Sequence, residues 1–186
     1  YARQPHEPGE PMLEVDELIV PKHPNHRLSF SVRAGEIVGL YGLVGAGRTE
    51  LMRVLFGIDP ALGGKIRVGG VPVSPRTPVD AIDAGIALVP EDRKQQGLVV
   101  EMTVRRNVSL AGLRRNQQLI GMLNHQVETR DTEDMIEKLK IKTPGSDQIA
   151  QFLSGGNQQK VVLGKWLALR PRILLLDEPT RGVYVG

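Results

Sequence analysis

One octapeptide constrains this chain more than any other feature. Gly42-Leu-Val-Gly-Ala-Gly-Arg-Thr49 fits the pattern G-x-x-x-x-G-K-[ST] at every fixed position except the lysine, where Arg48 stands. It follows Glu36-Ile-Val-Gly-Leu-Tyr41, a continuous apolar run of the kind that forms a strand buried on both faces, and it precedes Leu51 to Phe56, which reads as helix. A strand, a glycine-rich turn and a helix in that order let successive backbone N–H groups converge on phosphate oxygens, with the positive end of the helix facing the anion. Thr49 supplies a hydroxyl suited to Mg²⁺. Arg48 keeps the positive charge, but its planar fork does not replace an ammonium at a crowded phosphate. Gly42, Leu43, Val44, Gly45, Ala46, Gly47, Arg48, Thr49 and the adjoining Glu50 are therefore read as a nucleotide-binding loop that favours binding over hydrolysis.

Composition narrows the setting without naming a partner. With 186 residues, 40% hydrophobic and 24% charged, the chain has the makeup of one globular domain and not of a disordered or fibrous one. The absence of cysteine excludes disulfides, thiolate metal sites and a cysteine nucleophile, and fits a reducing compartment. A net charge of +3 is too small to mark a nucleic-acid protein. The most apolar stretch, Ile37 to Gly47, is too short to span a bilayer, and no charged-then-apolar leader opens the sequence.

Along the chain, residues 1–11 carry Pro5, Pro8 and Pro11 and read as a linker, with the domain expected over 12–186. Met12 to Val15, Leu18 to Val20 and the alternating Leu28, Phe30 and Val32 predict an antiparallel β layer. Lys65 to Val68 and Val71 to Val73 predict a hairpin around Gly69-Gly70, Val79 to Ala84 a short helix, and Ile86 to Val89 a buried strand. From about 102 to 169 the pattern turns helical, with a break at Thr143-Pro-Gly, so a helical segment is expected before the next strand.

Two further motifs join the loop. Ile173-Leu-Leu-Leu-Asp-Glu178 is an apolar strand ending in two carboxylates, where Asp177 can enter the Mg²⁺ shell and Glu178 can polarise an attacking water. Leu153-Ser-Gly-Gly-Asn-Gln-Gln-Lys160 stands before an apolar helix; Ser154 is placed to cap it, and Gly155 and Gly156 expose amides at its N-terminus, a second anion site.

At this point the chain resembles the ATP-binding-cassette ATPases, whose LSGGQ signature precedes the acidic strand as Leu153, Ser154, Gly155, Gly156, Asn157 and Gln158 precede Ile173. The arginine-bearing loop, Pro90-Glu-Asp-Arg-Lys94, Leu153 to Lys160 and Asp177-Glu-Pro-Thr-Arg-Gly182 together resemble the second nucleotide-binding domain of bacterial monosaccharide importers of the ribose, galactose and xylose type. The resemblance implies an α/β P-loop NTPase cassette with an antiparallel β layer, a parallel core sheet and an inserted helical subdomain. It implies ATP and Mg²⁺ as cofactors and a partner cassette whose nucleotide meets Leu153 to Gln158. Membrane permease subunits, fed by a periplasmic sugar-binding protein, are the other implied partners, and the cytoplasmic face of the membrane is the implied location.

The same resemblance assigns Glu91 the place of a glutamine that senses γ-phosphate and the permease, and Tyr184 the place of an aspartate in a loop contacting the partner cassette. No histidine follows Glu178, the four being His6, His23, His26 and His125, so the family's switch histidine is missing and the chain reads as ending before the cassette is complete. Such a piece leaves backbone groups unpaired and is expected to be marginal and prone to aggregate. His23 and Tyr41 are poor candidates for stacking on adenine. Arg105-Arg106 and Arg114-Arg115 read as a solvated helical face, with a permease or membrane-surface contact as the alternative; Glu133, Glu137 and Lys138 read as surface pairs and Trp166 as core. A DNA-repair or chromosome ATPase would share the signature but place a long coiled coil before it; only 105 positions separate Arg48 from Leu153, with no sustained heptads. A regulatory, non-hydrolytic cassette that donates its signature to a partner is a further reading.

Overall fold

The computed structural model describes residues 7–43, 45–113 and 125–180. Val44, Arg114-Arg115, Gly182, Tyr184 and residues 1–6 lie outside those residues. Of the stretch read as a linker, Gly9 and Glu10 bond the backbone of Ala34 and Pro11 opens the first strand, so the ordered sheet begins earlier than expected. The described chain falls into two compact units, one running to Ala87 and including Arg172–Leu175, the other comprising Leu88–Pro171 and the residues from Leu176 on.

The first unit is built on a four-stranded antiparallel sheet. Strands β1 (Pro11–Ile19), β2 (Leu28–Arg33), β3 (Gly63–Val68) and β4 (Val71–Val73) take the order β2-β1-β3-β4. Leu13 and Val15 pair with Val32 and Phe30 on one side and with Val68 and Ile66 on the other. The two apolar runs foreseen at the start are thus one strand, broken by a bulge at Asp16 and Glu17, where Glu17 takes a φ of 50°. That extra residue resets the alternation, so Val15 and Leu18 are both buried. Gly64 crosses the bulge at φ 96°, and a Cβ there would lie 2.5 Å from the Leu18 Cα, which leaves no side chain a place.

Helix α1 (Arg48–Leu55) buries Leu51, Val54 and Leu55. Helix α2 (Pro78–Asp83) starts where the sequence supplies every helix-start signal: Thr77 Oγ1 accepts from the Asp80 amide, the Asp80 carboxylate accepts from the Thr77 amide, and proline follows the cap.

Strands β5 (Ile86–Val89) and β6 (Ile173–Leu176) form a second sheet. The Arg172 and Ile173 amides donate to Gly85 and the Asp177 amide to Val89, so the registers rise together and the pair is parallel. The second unit is helical, as expected. Helices α3 (Val104–Ser109), α4 (His125–Lys138) and α5 (Gly155–Leu167) bury Val104, Val108, Met135, Val161, Val162 and Trp166. Thr143-Pro-Gly lies in the irregular chain between α4 and α5. Asn107, fully buried, accepts from the Val99 amide and donates to the carbonyls of Val99, Met102 and Thr103, fixing the chain that enters α3. Between the phosphate loop and the signature, the longest described helix is α4 with 14 residues, and no described helix is long and apolar enough to cross a membrane.

One expectation fails. Glu36 to Tyr41 forms no strand: Ile37 and Tyr41 are 98% and 99% exposed, and Leu43 is 83% exposed. The cause is pairing. A strand holds only when its alternate N–H and C=O groups meet a ladder, and among the described residues none lies against this run. The parallel sheet accordingly has two described strands and does not include the run before the loop. The double variant Ile37→Ser/Tyr41→Ser is therefore expected to cut binding of a hydrophobic dye and slow aggregation while moving the unfolding free energy by no more than about 0.5 kcal/mol. A clear drop in the urea midpoint would show instead that the two side chains are packed.

Candidate functional site

In the first unit the glycine loop ends in the conformation that opens helix α1. Gly45 and Gly47 sit at φ 87° and 86°, in the left-handed region, and the Leu51 amide donates to the Gly47 carbonyl at 2.9 Å as the first helical bond. The Ala46 amide donates to the Leu43 carbonyl at 3.0 Å, closing the turn. A glycine at the N-cap brings no side chain to the first-turn amides, and these point with the positive end of the helix toward whatever lies before it. Arg48 and Thr49 are half-buried in that first turn.

The loop between β1 and β2 covers the same helix start. Lys22 hydrogen-bonds the Glu50 carboxylate, and that bond holds Glu50 below the usual carboxylate range. The His23 ring lies against Gly47: a Cβ there would come within 2.7 Å of His23 Cδ2. His23 Nε2 is shielded from water without a hydrogen-bond partner, and the ring packs edge-on against His26 at 5.9 Å. Lys22 is thus a neighbour of the loop that the sequence does not single out, and His23, weighed there only as a poor candidate for stacking on adenine, is a second one. A turn between two strands carries no periodic signal, and its reach to the helix that opens at Arg48 depends on the sheet register.

In the second unit, Ser154 caps α5; its Oγ accepts from the Asn157 amide, and Asn157 Nδ2 donates to it at 3.0 Å. Asn157 Oδ1 in turn accepts from the Lys142 amide at 2.8 Å. Ser154 is exposed and Gly155 and Gly156 are half-buried, whereas Leu153 and Gln158 are buried. Gln158 turns inward: its Nε2 donates to the Ala150 carbonyl at 3.0 Å and its Oε1 accepts from Arg93 Nε at 3.4 Å. The sequence groups six residues as one motif; the fold presents Ser154 and its glycines and uses Leu153 and Gln158 to hold them.

The strand ends of β5 and β6 lie side by side in this unit. Beyond β5, Glu91 is half-buried and Asp92 Oδ1 accepts from the Lys94 and Gln95 amides, capping a π-helical turn over Arg93–Gly97. Beyond β6, Asp177 is buried and its amide is tied to Val89 at 3.0 Å. Glu178 is exposed with φ 42°, a left-handed conformation that costs a non-glycine residue on the order of 1–3 kcal/mol. Glu17, Lys140 and Arg170 share that conformation at φ 50–52°. The first unit offers a hydroxyl at Thr49 and the second a buried carboxylate at Asp177, each of a donor type that Mg²⁺ accepts; among the described residues no group of three or more His, Cys, Asp or Glu would hold a metal.

A glycine-rich loop opening a helix, a serine-capped second helix and an acidic strand end define a P-loop nucleotide cassette. Residues 25–181 match the family described as ABC transporter, and the chain belongs to that family. It is 44% identical over 178 residues to the ribose import ATP-binding protein RbsA of Clostridium tetani, covering 96% of this chain and 35% of that relative. It is 47% identical over 188 residues to the xylose import ATP-binding protein XylG of Moorella thermoacetica, covering 97% of this chain and 37% of that relative. The chain thus spans little more than a third of the length of the curated relatives it matches. Among solved structures, the ADP conformation of MJ1267, an ATP-binding cassette of an ABC transporter, superposes with a TM-score of 0.78 at 21% identity over 94% of this chain and 71% of that one. That likeness bears out the α/β cassette fold.

Gly47→Ala tests the loop geometry. The left-handed backbone alone costs about 1–2 kcal/mol, and the His23 ring adds to it. The variant is expected to lower unfolding free energy by at least that amount, with part of the loss recovered in His23→Ala/Gly47→Ala. A neutral Gly47→Ala would contradict both the φ and the contact.

Proposed function

We propose that this chain is the ATP-binding and ATP-hydrolysing cassette of a bacterial monosaccharide importer, acting at the cytoplasmic face of the membrane. The observation that carries this is the 44–47% identity, across nearly the whole chain, to proteins named for ribose and xylose import, combined with left-handed glycines that open α1. The partners in this reading are a second cassette, membrane permease subunits and, through them, a periplasmic sugar-binding protein; nucleic acid has no part.

The triphosphate is held by the amides from Gly42 to Thr49, with Arg48 as the countercharge and Glu50 beside it. Mg²⁺ at such a site neutralises charge that develops on the phosphate oxygens. The Thr49 hydroxyl and the Asp177 carboxylate would be its protein ligands, and Glu178 would orient and polarise the attacking water. Ser154, Gly155, Gly156 and Asn157, backed by Leu153 and Gln158, offer a helix N-terminus to the γ-phosphate of nucleotide bound on the partner cassette. Glu91 stands in the loop that answers to γ-phosphate and permease.

A division of labour follows from Arg48. The loop of this chain forms a slow site because a guanidinium fork stands where an ammonium would serve, while its signature completes a productive site on the partner. In the intact transporter, Ser154→Arg is expected to abolish sugar uptake, whereas Glu178→Gln lowers it by less than about tenfold. A loss of about 10²–10⁴ from Glu178→Gln, the usual contribution of an essential general base, with Ser154→Arg still active, would overturn the assignment.

A further inference from the structure

Helix α5 carries one side chain that packing alone does not explain. Lys165 is buried, only 6% exposed, and its Nζ donates to the Gly97 carbonyl at 2.6 Å while lying 4.9 Å from the centroid of the Trp166 ring. Taking an ammonium out of water costs several kcal/mol, and no carboxylate lies within ion-pairing distance of Lys165 among the described residues. Burial pushes its pKa down to about 8. An apolar side chain of similar length would fill the same space without that cost, so the donor has a use.

Its acceptor identifies that use. Gly97 closes the π-helical turn over Arg93–Gly97, where the Leu98 amide bonds the Arg93 carbonyl at 2.8 Å. This turn is rare in proteins and frequent at functional sites. It begins immediately after Asp92, one residue beyond Glu91. Three residues of α5, spaced along one face, grip it. Gln158 accepts from Arg93, Val162 packs so close to Gly97 that a Cβ there would lie 2.9 Å from its Cγ2, and Lys165 bonds the Gly97 carbonyl. The N-terminal end of that same helix is the Ser154 cap.

We propose that Lys165 is a positioning residue that latches the π turn onto helix α5, so that the Glu91–Asp92 loop and the Ser154–Asn157 cap move as one body. The latch converts a displacement at the end of β5 into a displacement of the signature. Its consequence for turnover rests on the reading of Ser154 to Asn157 as the group that meets a partner's nucleotide.

Two measurements test it, and the first uses no nucleotide. In amide hydrogen exchange on this chain, Lys165→Met is expected to speed exchange at residues 94–98 about tenfold, the loss of one buried hydrogen bond, while amides in β1 and β3 keep their protection. Lys165→Arg, which retains a cationic donor, is expected to restore most of that protection. Unchanged exchange at 94–98, or an equal rise throughout the chain, would overturn the latch. In the intact transporter, Lys165→Met is expected to lower kcat for ATP about tenfold with KM within about twofold, and Lys165→Arg to recover it. A change in KM with kcat preserved, or an arginine variant no better than methionine, would overturn the coupling. Failure of the wild-type transporter to hydrolyse ATP would refute the proposed function and leave the exchange result standing.

Discussion

Backbone amides at the start of a helix are polar groups that the helix itself cannot satisfy, and the arrangement of this chain follows from where it leaves them open. At α1 the N-cap is Gly47 in the left-handed region, so nothing covalent to the cap lies over the first turn. At α5 the N-cap is Ser154, whose hydroxyl is shared between two nitrogens of Asn157, and two glycines follow. One end carries no cap side chain of its own, with the His23 ring lying against it; the other is partly closed by its own side chain. That difference parallels the proposed roles, a loop that cradles nucleotide and a cap that meets nucleotide held elsewhere.

The second unit shows how such a cap is kept in place. Gln158 and Asn157 each spend their side-chain amides on the protein, on Ala150, Arg93 and Lys142, and Lys165 closes the same face two turns later. Gln158 and Lys165 are buried and hydrogen-bonded, and Asn157 is half-buried, so each of these polar groups is satisfied within the protein. The π turn, the Asn107 network and the Lys165 contact all lie on the path from β5 to α5, so the geometry of the signature is set by chain that precedes it by some 50 to 60 residues.

Elements whose signals are local were legible in the sequence. The Gly69-Gly70 hairpin, the Thr77 and Asp80 box at α2, the helical stretch and its break, and the buried run Ile86 to Val89 all stand where pattern and turn chemistry put them. The backbone parts of the motifs were legible for the same reason, since the loop glycines take left-handed φ and Ser154 caps its helix one residue at a time. What was not legible depends on partners. Glu36 to Tyr41 has the pattern of a buried strand, yet burial belongs to the pair of strands and not to the run, and no described strand meets it. The β1 bulge is recorded only in the register with β2 and β3, and the approach of His23 to Gly47 only in the folded sheet. Lys165 looks like any helical lysine until Gly97 is seen beneath it.

The central claim is that this chain binds Mg²⁺ nucleotide through the loop that opens α1. Calorimetric titration of the chain with ATP, with and without Mg²⁺, tests it most directly. Saturable binding with a dissociation constant well below millimolar, strengthened by Mg²⁺ and lost in Gly47→Ala, is the predicted result. Absence of binding up to millimolar ATP, or binding that Gly47→Ala leaves unchanged, would contradict it.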